Sequence, residues 1–341
     1  MAESRTTNRH WRLAARPRGL PVPSDWEFRD EAVPSPADGE FLVRVRFISL
    51  DPAMRGWMNA SRSYVPPVGI GEVMRALGAG EVVASRHPDF GAGDHVTGIF
   101  GVQDFAISDG SGVTRVSLEV APLTMYLSVL GITGLTAYFG LLEIGRPQPG
   151  ETVVVSAAAG AVGMVVGQIA KIKGCRVVGI AGGSEKCRFI VDELGFDAAI
   201  DYRHEDVRTA LRERCPDRVD VYFDNVGGDV LDAVLTRLAR HARIVICGSI
   251  SQYNNDGPAL GPANYMALLV DRARMEGFLV FDFASRYREA ATEMAGWIAE
   301  GRLLSVEDVV TGLEQFPDTL LKLYRGENLG KLLLRVEDGS G

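Results

Sequence analysis

Two textures of hydrophobic and polar positions divide the chain. In the first ~130 residues, Phe41 to Ile48 alternates, with Val43, Val45 and Phe47 opposing Arg44 and Arg46. That is the period of two of a half-buried strand. Short apolar stretches follow near Glu81–Ala84, His95–Phe100, Asp104–Ile107 and Val113–Leu118, separated by Gly, Pro and Asp. Short strands at close, turn-marked spacing predict a small β-barrel. After Leu130 the pattern changes. Gly131–Ile144 reads as a helix, stopped by Gly145, Pro147 and Pro149. Apolar strands are then expected at Thr152–Ser156, Cys175–Ile180, Ala198–Ile200, Val219–Phe223, Arg243–Cys247 and Arg274–Phe281. Helices are expected between them at Ala161–Lys173, Ser184–Leu194, Glu205–Arg214 and Asp229–Ala239, with another ending at Val270 after a polar loop from Gly248 to Pro262. Wholly apolar strands alternating with helices imply a parallel sheet covered on both faces, a doubly wound α/β domain. A further helix, a strand near Val306–Val310, a helix from Leu313 and a strand Lys331–Val336 are expected to return to the first domain. The expected division is 1–130, 131–285 and 286–341.

Composition narrows the possibilities. A length of 341 residues favours two domains. Lys and Arg number 36 against 44 Asp and Glu, a net charge of -8, and no basic stripe points to nucleic acid. The apolar run Thr152–Ala170 is broken by Gly160, Gly163, Gly167 and Gln168, so it reads as strand, turn and helix and no membrane span is expected. The stretch Met1–Pro21 lacks the apolar core of a secretory signal. Cys175, Cys187, Cys215 and Cys247 stand apart with no CxxC, which fits a reducing compartment and a cytoplasmic protein.

The chemistry begins after the strand Thr152–Ser156, with Ala157-Ala-Ala-Gly160-Ala161-Val162-Gly163. This is an AxxGxxG form of the Rossmann turn. Missing side chains let backbone approach a pyrophosphate, and the helix from Ala161 aims its amides and positive dipole end at that anion. Small residues that serve only helix–strand packing are the plainer alternative. An NAD site usually carries an acid at the end of the second strand. Here that end reads Gly179-Ile-Ala-Gly-Gly-Ser184-Glu-Lys186, with no acid at the tip. Lys186 and Arg188 fall in the first turn of the next helix, where the dipole disfavours a cation unless an anion is bound. A 2′-phosphate would supply that anion, so NADP(H) is the expected cofactor. Glu185 is the dissenting residue, and a merely solvated Lys186 is the competing reading.

Several motifs in order now carry a resemblance. They are Gly134-Leu-Thr-Ala-Tyr138-Phe-Gly, AAAGAVGMVVGQIAKIKGC, Phe223-Asp-Asn225-Val-Gly-Gly, Cys247-Gly-Ser-Ile-Ser-Gln-Tyr253-Asn, Arg274-Met-Glu-Gly-Phe278-Leu-Val280 and Glu327-Asn328-Leu-Gly-Lys331, with Asp51-Pro-Ala-Met54-Arg55-Gly near the start. Together they resemble the zinc-independent medium-chain dehydrogenases/reductases, and within them the leukotriene/prostaglandin reductase and alkenal double-bond reductase branch with its curcumin-reductase-like members. The resemblance implies a GroES-like catalytic domain plus a Rossmann domain, usually as a homodimer. It implies NADPH-dependent reduction of the C=C bond of α,β-unsaturated aldehydes or ketones. By motif position, Gly160, Ala161, Val162 and Gly163 would hold the pyrophosphate, and Lys186 and Tyr202 the 2′-phosphate. Asn225, Cys247, Gly248, Ser249, Ile250, Tyr253, Phe278, Leu279, Val280 and Asn328 would line the ribose and nicotinamide. Taken singly, Cys247, Phe278 and Val280 also read as core, and Asn225 as a turn former. Tyr64 and Met54 are the candidate substrate residues, although the proline- and glycine-rich stretch from Ser61 to Glu72 and Ala53 depart from the usual pattern.

No metal is expected. A catalytic zinc needs about three protein ligands, and between Ile48 and Glu119 there is no Cys and only His87 and His95. Tyr253 is the candidate proton donor. Its loop leaves the carboxyl edge of the sheet, and tyrosine suits donation to an enolate better than a carboxylic acid, which would already be ionised. Water or a ribose hydroxyl are the competing donors. The competing functions are a quinone oxidoreductase and a non-catalytic NADPH-binding protein.

Overall fold

The computed structural model describes residues 7–255, 257 and 260–336. The first six residues, the last five, and positions 256, 258 and 259 of the expected polar loop lie outside the described residues. The chain forms two compact units, one from residues 1–127 and 307–341, the other from 128–306. The second unit therefore runs past residue 285, because the helix Tyr287–Ala299 packs with it. Tyr138 donates a 2.5 Å hydrogen bond to Glu293 on that helix, and Gln168 Oε1 accepts the Leu304 N–H at 2.7 Å.

In the first unit, seven strands form one sheet. Its order is Glu307–Thr311, Lys331–Arg335, Phe41–Ser49, Leu77–Ser85, His95–Ile99, Thr114–Val116, with Phe105–Ser108 also on Phe41–Ser49. The C-terminal strand thus returns to the N-terminal sheet, and Leu333 pairs with Ser49. Leu13, Phe41, Val43, Val45, Ile48, Met54, Phe316 and Leu334 share its core. A two-stranded antiparallel ribbon, Thr7–Leu13 with Trp26–Ala32, was not expected from the pattern. Its inward positions explain why: buried Asn8 and His10 are polar. Asn8 brackets Phe105, accepting its N–H at 2.9 Å and donating to its carbonyl at 3.0 Å. A buried ion pair ties two of the sequence motifs together. Lys331 Nζ, 1% exposed, donates to Leu50 O at 3.0 Å and to Asp51 Oδ1 at 2.6 Å.

In the second unit, six parallel strands run in the order Ala198–Asp201, Arg176–Ala181, Thr152–Ser156, Val219–Asp224, Leu238–Ile246, Arg274–Gly277. By position in the chain this is 3-2-1-4-5-6, the Rossmann order. Strands one and four are mainly apolar and wholly or nearly buried, as a covered parallel sheet requires. Three elements differ from expectation. The helix from Ile132 is α only to Phe139 and continues as a π-turn over Gly140–Gly145. A Cβ on Gly140 would collide with the rings of Phe278 and Phe223, so the widened turn starts where two aromatic rings press on bare backbone. The fifth strand begins at Leu238, which shortens the preceding helix to Gly228–Leu235. The last strand stops at Gly277, and a 3-10 stretch over Val280–Arg286 follows.

Helix Ala161–Ile172 sits close on the sheet because its contact positions lack side chains. A Cβ on Gly163 would strike the Ala157 carbonyl, and one on Gly167 the Phe196 ring. Phe196 is 3% exposed and has little room to retreat. Gly167→Ala is expected to destabilise the chain by about 1–3 kcal/mol through overpacking, read as a lowered midpoint in thermal or urea unfolding, whereas Gly296→Ala, on an open helix face, should not lower it.

Candidate active site

The parallel sheet reverses its strand order between Thr152–Ser156 and Val219–Asp224. In this architecture ligands bind in the crevice outside the carboxyl ends at that reversal. On one side lies the turn after Ser156. Ala157 adopts a left-handed φ of +49°, which swings the chain toward Gly160 at the head of the helix. Gly160 is extended, with φ -90° and ψ 174°. A Cβ there would meet only the Ala157 carbonyl oxygen, at 3.1 Å. Backbone at Gly160 is thus open to an anion, and the first-turn amides of Ala161, Val162 and Gly163 have no intrahelical acceptor. The turn fits a dinucleotide diphosphate. Gly163 contributes differently from Gly160: its missing side chain serves the packing of helix on turn.

On the other side stands Asp224, at 1% exposure. One oxygen, Oδ1, accepts from Tyr222 OH at 2.8 Å, Ser156 Oγ at 3.2 Å, Val226 N–H at 3.0 Å and Gly227 N–H at 2.9 Å. Its other oxygen, Oδ2, is buried with no hydrogen-bond partner among the described residues. Burial raises the carboxyl pKa above the ordinary range, against the pull of those donors. Asn225 closes the crossing between the two strands. Its N–H reaches Ser156 Oγ at 2.9 Å and its Nδ2 reaches Ser156 O at 2.8 Å.

The loop that carries Tyr253 hangs on this turn. Cys247 N–H and Gly248 N–H both donate to Asp224 O, at 2.9 and 3.1 Å. Ile250 N–H donates to Asn225 O at 3.2 Å and Ser251 N–H to Val226 O at 3.2 Å. The Tyr253 hydroxyl folds back and accepts the Ser249 N–H at 3.1 Å. A Cβ on Gly248 would lie 2.9 Å from that hydroxyl, so Gly248 is the residue that admits the ring. The oxygen that accepts from Ser249 also carries the one phenolic proton, which makes it a donor as well. Cys247 is a different case. Burial pushes its thiol up to about 12, with the Asp224 charge adding to the effect, which disfavours the thiolate. Its contribution is its backbone N–H.

Past the end of the second strand, Tyr202 lies over Gly182: a Cβ on that glycine would sit 2.9 Å from the Tyr202 ring and hydroxyl. Lys186 is the third residue of helix Ser184–Asp192, whose first turn follows Gly183. The Phe278–Val280 segment is only partly as expected. The Phe278 ring packs edge-on to Phe223, centroids 6.5 Å apart, and Val280 is buried. The Val280 side chain is buried, that of Phe278 is half-buried against Phe223, and Leu279 is the exposed member.

In the first unit the substrate candidates separate. Met54 is wholly inaccessible inside the core, so the structure does not present it to a ligand, and its expected place in a substrate pocket is corrected. Tyr64 is 51% exposed. Asn328 is buried and donates to Gly330 O at 2.9 Å. Among the described residues no group of three or more His, Cys, Asp or Glu is arranged to hold a metal ion, and no helix is long and apolar enough to cross a membrane. Sequence reasoning missed Ser156, Asp224 and Asp201. The available signal was a polar residue at the carboxyl end of each of three strands.

Comparison with known proteins follows the same two units. Residues 9–116 match the family described as the N-terminal domain of oxidoreductase, and residues 161–296 the family described as zinc-binding dehydrogenase. The chain is 44% identical over 341 residues to the NADPH-dependent curcumin reductase of Escherichia coli, covering 98% of this chain and 99% of that one. It is 41% identical to prostaglandin reductase 1 of Mus musculus, covering 96% and 98%. Among solved structures, CurA of Vibrio vulnificus in complex with NADPH is similar at a TM-score of 0.92 and 45% identity, over 96% of this chain and 99% of that one. Identity at this level across both units, with the glycine turn, the Asp224–Val226 turn and the Tyr253 loop in place, shows that the chain belongs to the medium-chain dehydrogenase/reductase family, in the branch of the curcumin and prostaglandin reductases.

Proposed function

We propose that the protein is an NADPH-dependent reductase of the C=C bond of α,β-unsaturated aldehydes and ketones. The observation that carries this reading is the Tyr253 loop. Its amides hang on the carbonyls of residues 224–226, which brings a phenolic hydroxyl to the carboxyl edge of the sheet where the strand order reverses. The likeness to an NADPH-dependent curcumin reductase supports it. NADPH, when bound, supplies the hydride that reaches the β-carbon of the enone.

The chain's own part is binding, orientation and proton supply. The Gly160 turn and the amides of Ala161, Val162 and Gly163 hold the diphosphate. Lys186 and Tyr202 hold the 2′-phosphate. Hydride addition at the β-carbon leaves negative charge on the carbonyl oxygen, and a donor there stabilises the transition state. Tyr253 supplies its phenolic proton to the enolate, which is protonated at the α-carbon as the carbonyl re-forms. Water then returns a proton to the phenolate. The Ser249 N–H, already directed at the Tyr253 oxygen, stabilises that oxygen when its proton leaves. The active species is a homodimer. Among the described residues Arg274–Gly277 is one of the two edge strands of the parallel sheet, an invitation to strand pairing. Exposed Leu269 and Val270 precede it and exposed Phe281 follows, so a second copy is the partner that suits it.

An assay panel tests the reading. NADPH consumption is expected with a 2-alkenal and with an aromatic enone, and product mass should show two added hydrogens with the carbonyl kept. Consumption with a para-quinone alone would replace the substrate class. Tyr253→Phe should lower turnover at least about tenfold, the scale of one general acid, with NADPH affinity nearly unchanged; wild-type turnover in that variant removes the acid role. Light scattering should return twice the mass of one 36.9 kDa chain, and Val270→Asp should shift it toward the single chain.

A further inference from the structure

The tip of the second strand, Arg176–Ala181, has no acid in sequence, yet the fold brings one to it. The neighbouring strand Ala198–Asp201 runs parallel, with Asp201 opposite Ala181. In dinucleotide folds an acid at this tip accepts the 2′-OH of the adenosine ribose and would repel a 2′-phosphate. Asp201 is committed elsewhere. Its Oδ1 accepts the Gly183 N–H at 2.8 Å and the Arg203 N–H at 3.1 Å. Its Oδ2 meets His204 Nδ1 at 2.8 Å. The residue is 7% exposed. Burial alone would raise its pKa, but the Gly183 amide, His204 and the Arg203 amide together hold it below the ordinary carboxylate range. At neutral pH it is therefore a carboxylate, and Nδ1 of His204 is the protonated nitrogen of that pair.

Both residues expected to grip a 2′-phosphate depend on what Oδ1 holds. Gly183 has φ +97° and is the N-cap of the helix that carries Lys186. Tyr202 follows Asp201 directly and lies over Gly182, and its own N–H is bonded to Ala181 O at 3.1 Å. One oxygen thus pins the bend before the lysine helix and the residue after the tyrosine. We propose that Asp201 is a positioning residue for coenzyme selection: by clamping Gly183 and Arg203 to one oxygen it sets Lys186 and Tyr202 to receive a 2′-phosphate, and it spends its own charge on those donors instead of on a ribose hydroxyl. This rests on the NADP reading above and is independent of the substrate that is reduced.

Fluorescence titration of the full chain with NADPH and with NADH tests it, with competition by 2′,5′-ADP and 5′-AMP. Asp201→Ala is expected to raise the Kd for NADPH and 2′,5′-ADP about tenfold, the scale of losing charge-assisted hydrogen bonds, with NADH and 5′-AMP changed less than about twofold. Asp201→Asn, which keeps the Oδ1 acceptor, is expected to stay within about threefold of wild type for NADPH. Should Asp201→Ala not fold, Asp201→Ser withdraws the acceptor by shortening the side chain and carries the same expectation. Equal weakening of both coenzymes shows a purely structural role and overturns the proposal. So does unchanged selectivity in Asp201→Ala, or Asp201→Asn behaving like Asp201→Ala. A wild-type chain that prefers neither coenzyme removes the NADP reading and the proposal with it; a wild-type preference retained in the alanine variant removes the proposal alone.

Discussion

Four donors converge on a single oxygen of Asp224, and the form of the crevice follows from that convergence. Two of them are the backbone amides of Val226 and Gly227, so the turn after the fourth strand is held by its own first residue. A third is Ser156, at the end of the first strand, so the two strands that flank the reversal are locked at their tips. The carbonyls of residues 224, 225 and 226 are thereby fixed in space, and they in turn receive the amides of the loop from Cys247 to Ser251. A buried carboxylate is costly to desolvate, and its second oxygen finds no partner among the described residues. The compensation is geometric: the loop acquires a fixed backbone.

The same crevice depends on missing atoms as much as on present ones. Gly163 and Gly167 bring the first helix against Ala157 and Phe196, Gly182 accepts the Tyr202 ring, and Gly248 accepts the Tyr253 hydroxyl. These contacts link packing to chemistry. One pair of glycines lets the helix approach the sheet, and another pair decides where two tyrosines stand.

The architecture was readable where periodicity and burial agree. The alternation over Phe41–Ser49 and the apolar strands Thr152–Ser156 and Val219–Asp224 announced themselves because their side chains face apolar surroundings. The ribbon of Thr7–Leu13 did not, because Asn8 and His10 fill its inward positions and are satisfied by backbone and side-chain partners rather than by hydrophobic neighbours. In the site, the glycine turn was legible as a local string. Asp201 was not, since its relation to Ala181 is a matter of strand register between residues twenty apart. Met54 failed for the opposite reason. A motif names the segment, but which face of a four-residue helix turns inward is decided by packing, and Met54 turns in.

The sheet of the first unit borrows its strand Lys331–Arg335 from the far end of the chain and places it against Phe41–Ser49. On a ribosome the two are made about 280 residues apart. At roughly 5–20 residues per second, the interval is roughly 15–60 s, during which the edge of Phe41–Ser49 meant for that strand has no neighbour. The residues 128–306 of the second unit are meanwhile all synthesised and can fold. The nascent chain is thus exposed to strand-edge aggregation at Phe41–Ser49, and loss of Lys331–Arg335 alone would spare the second unit while leaving the first unfinished.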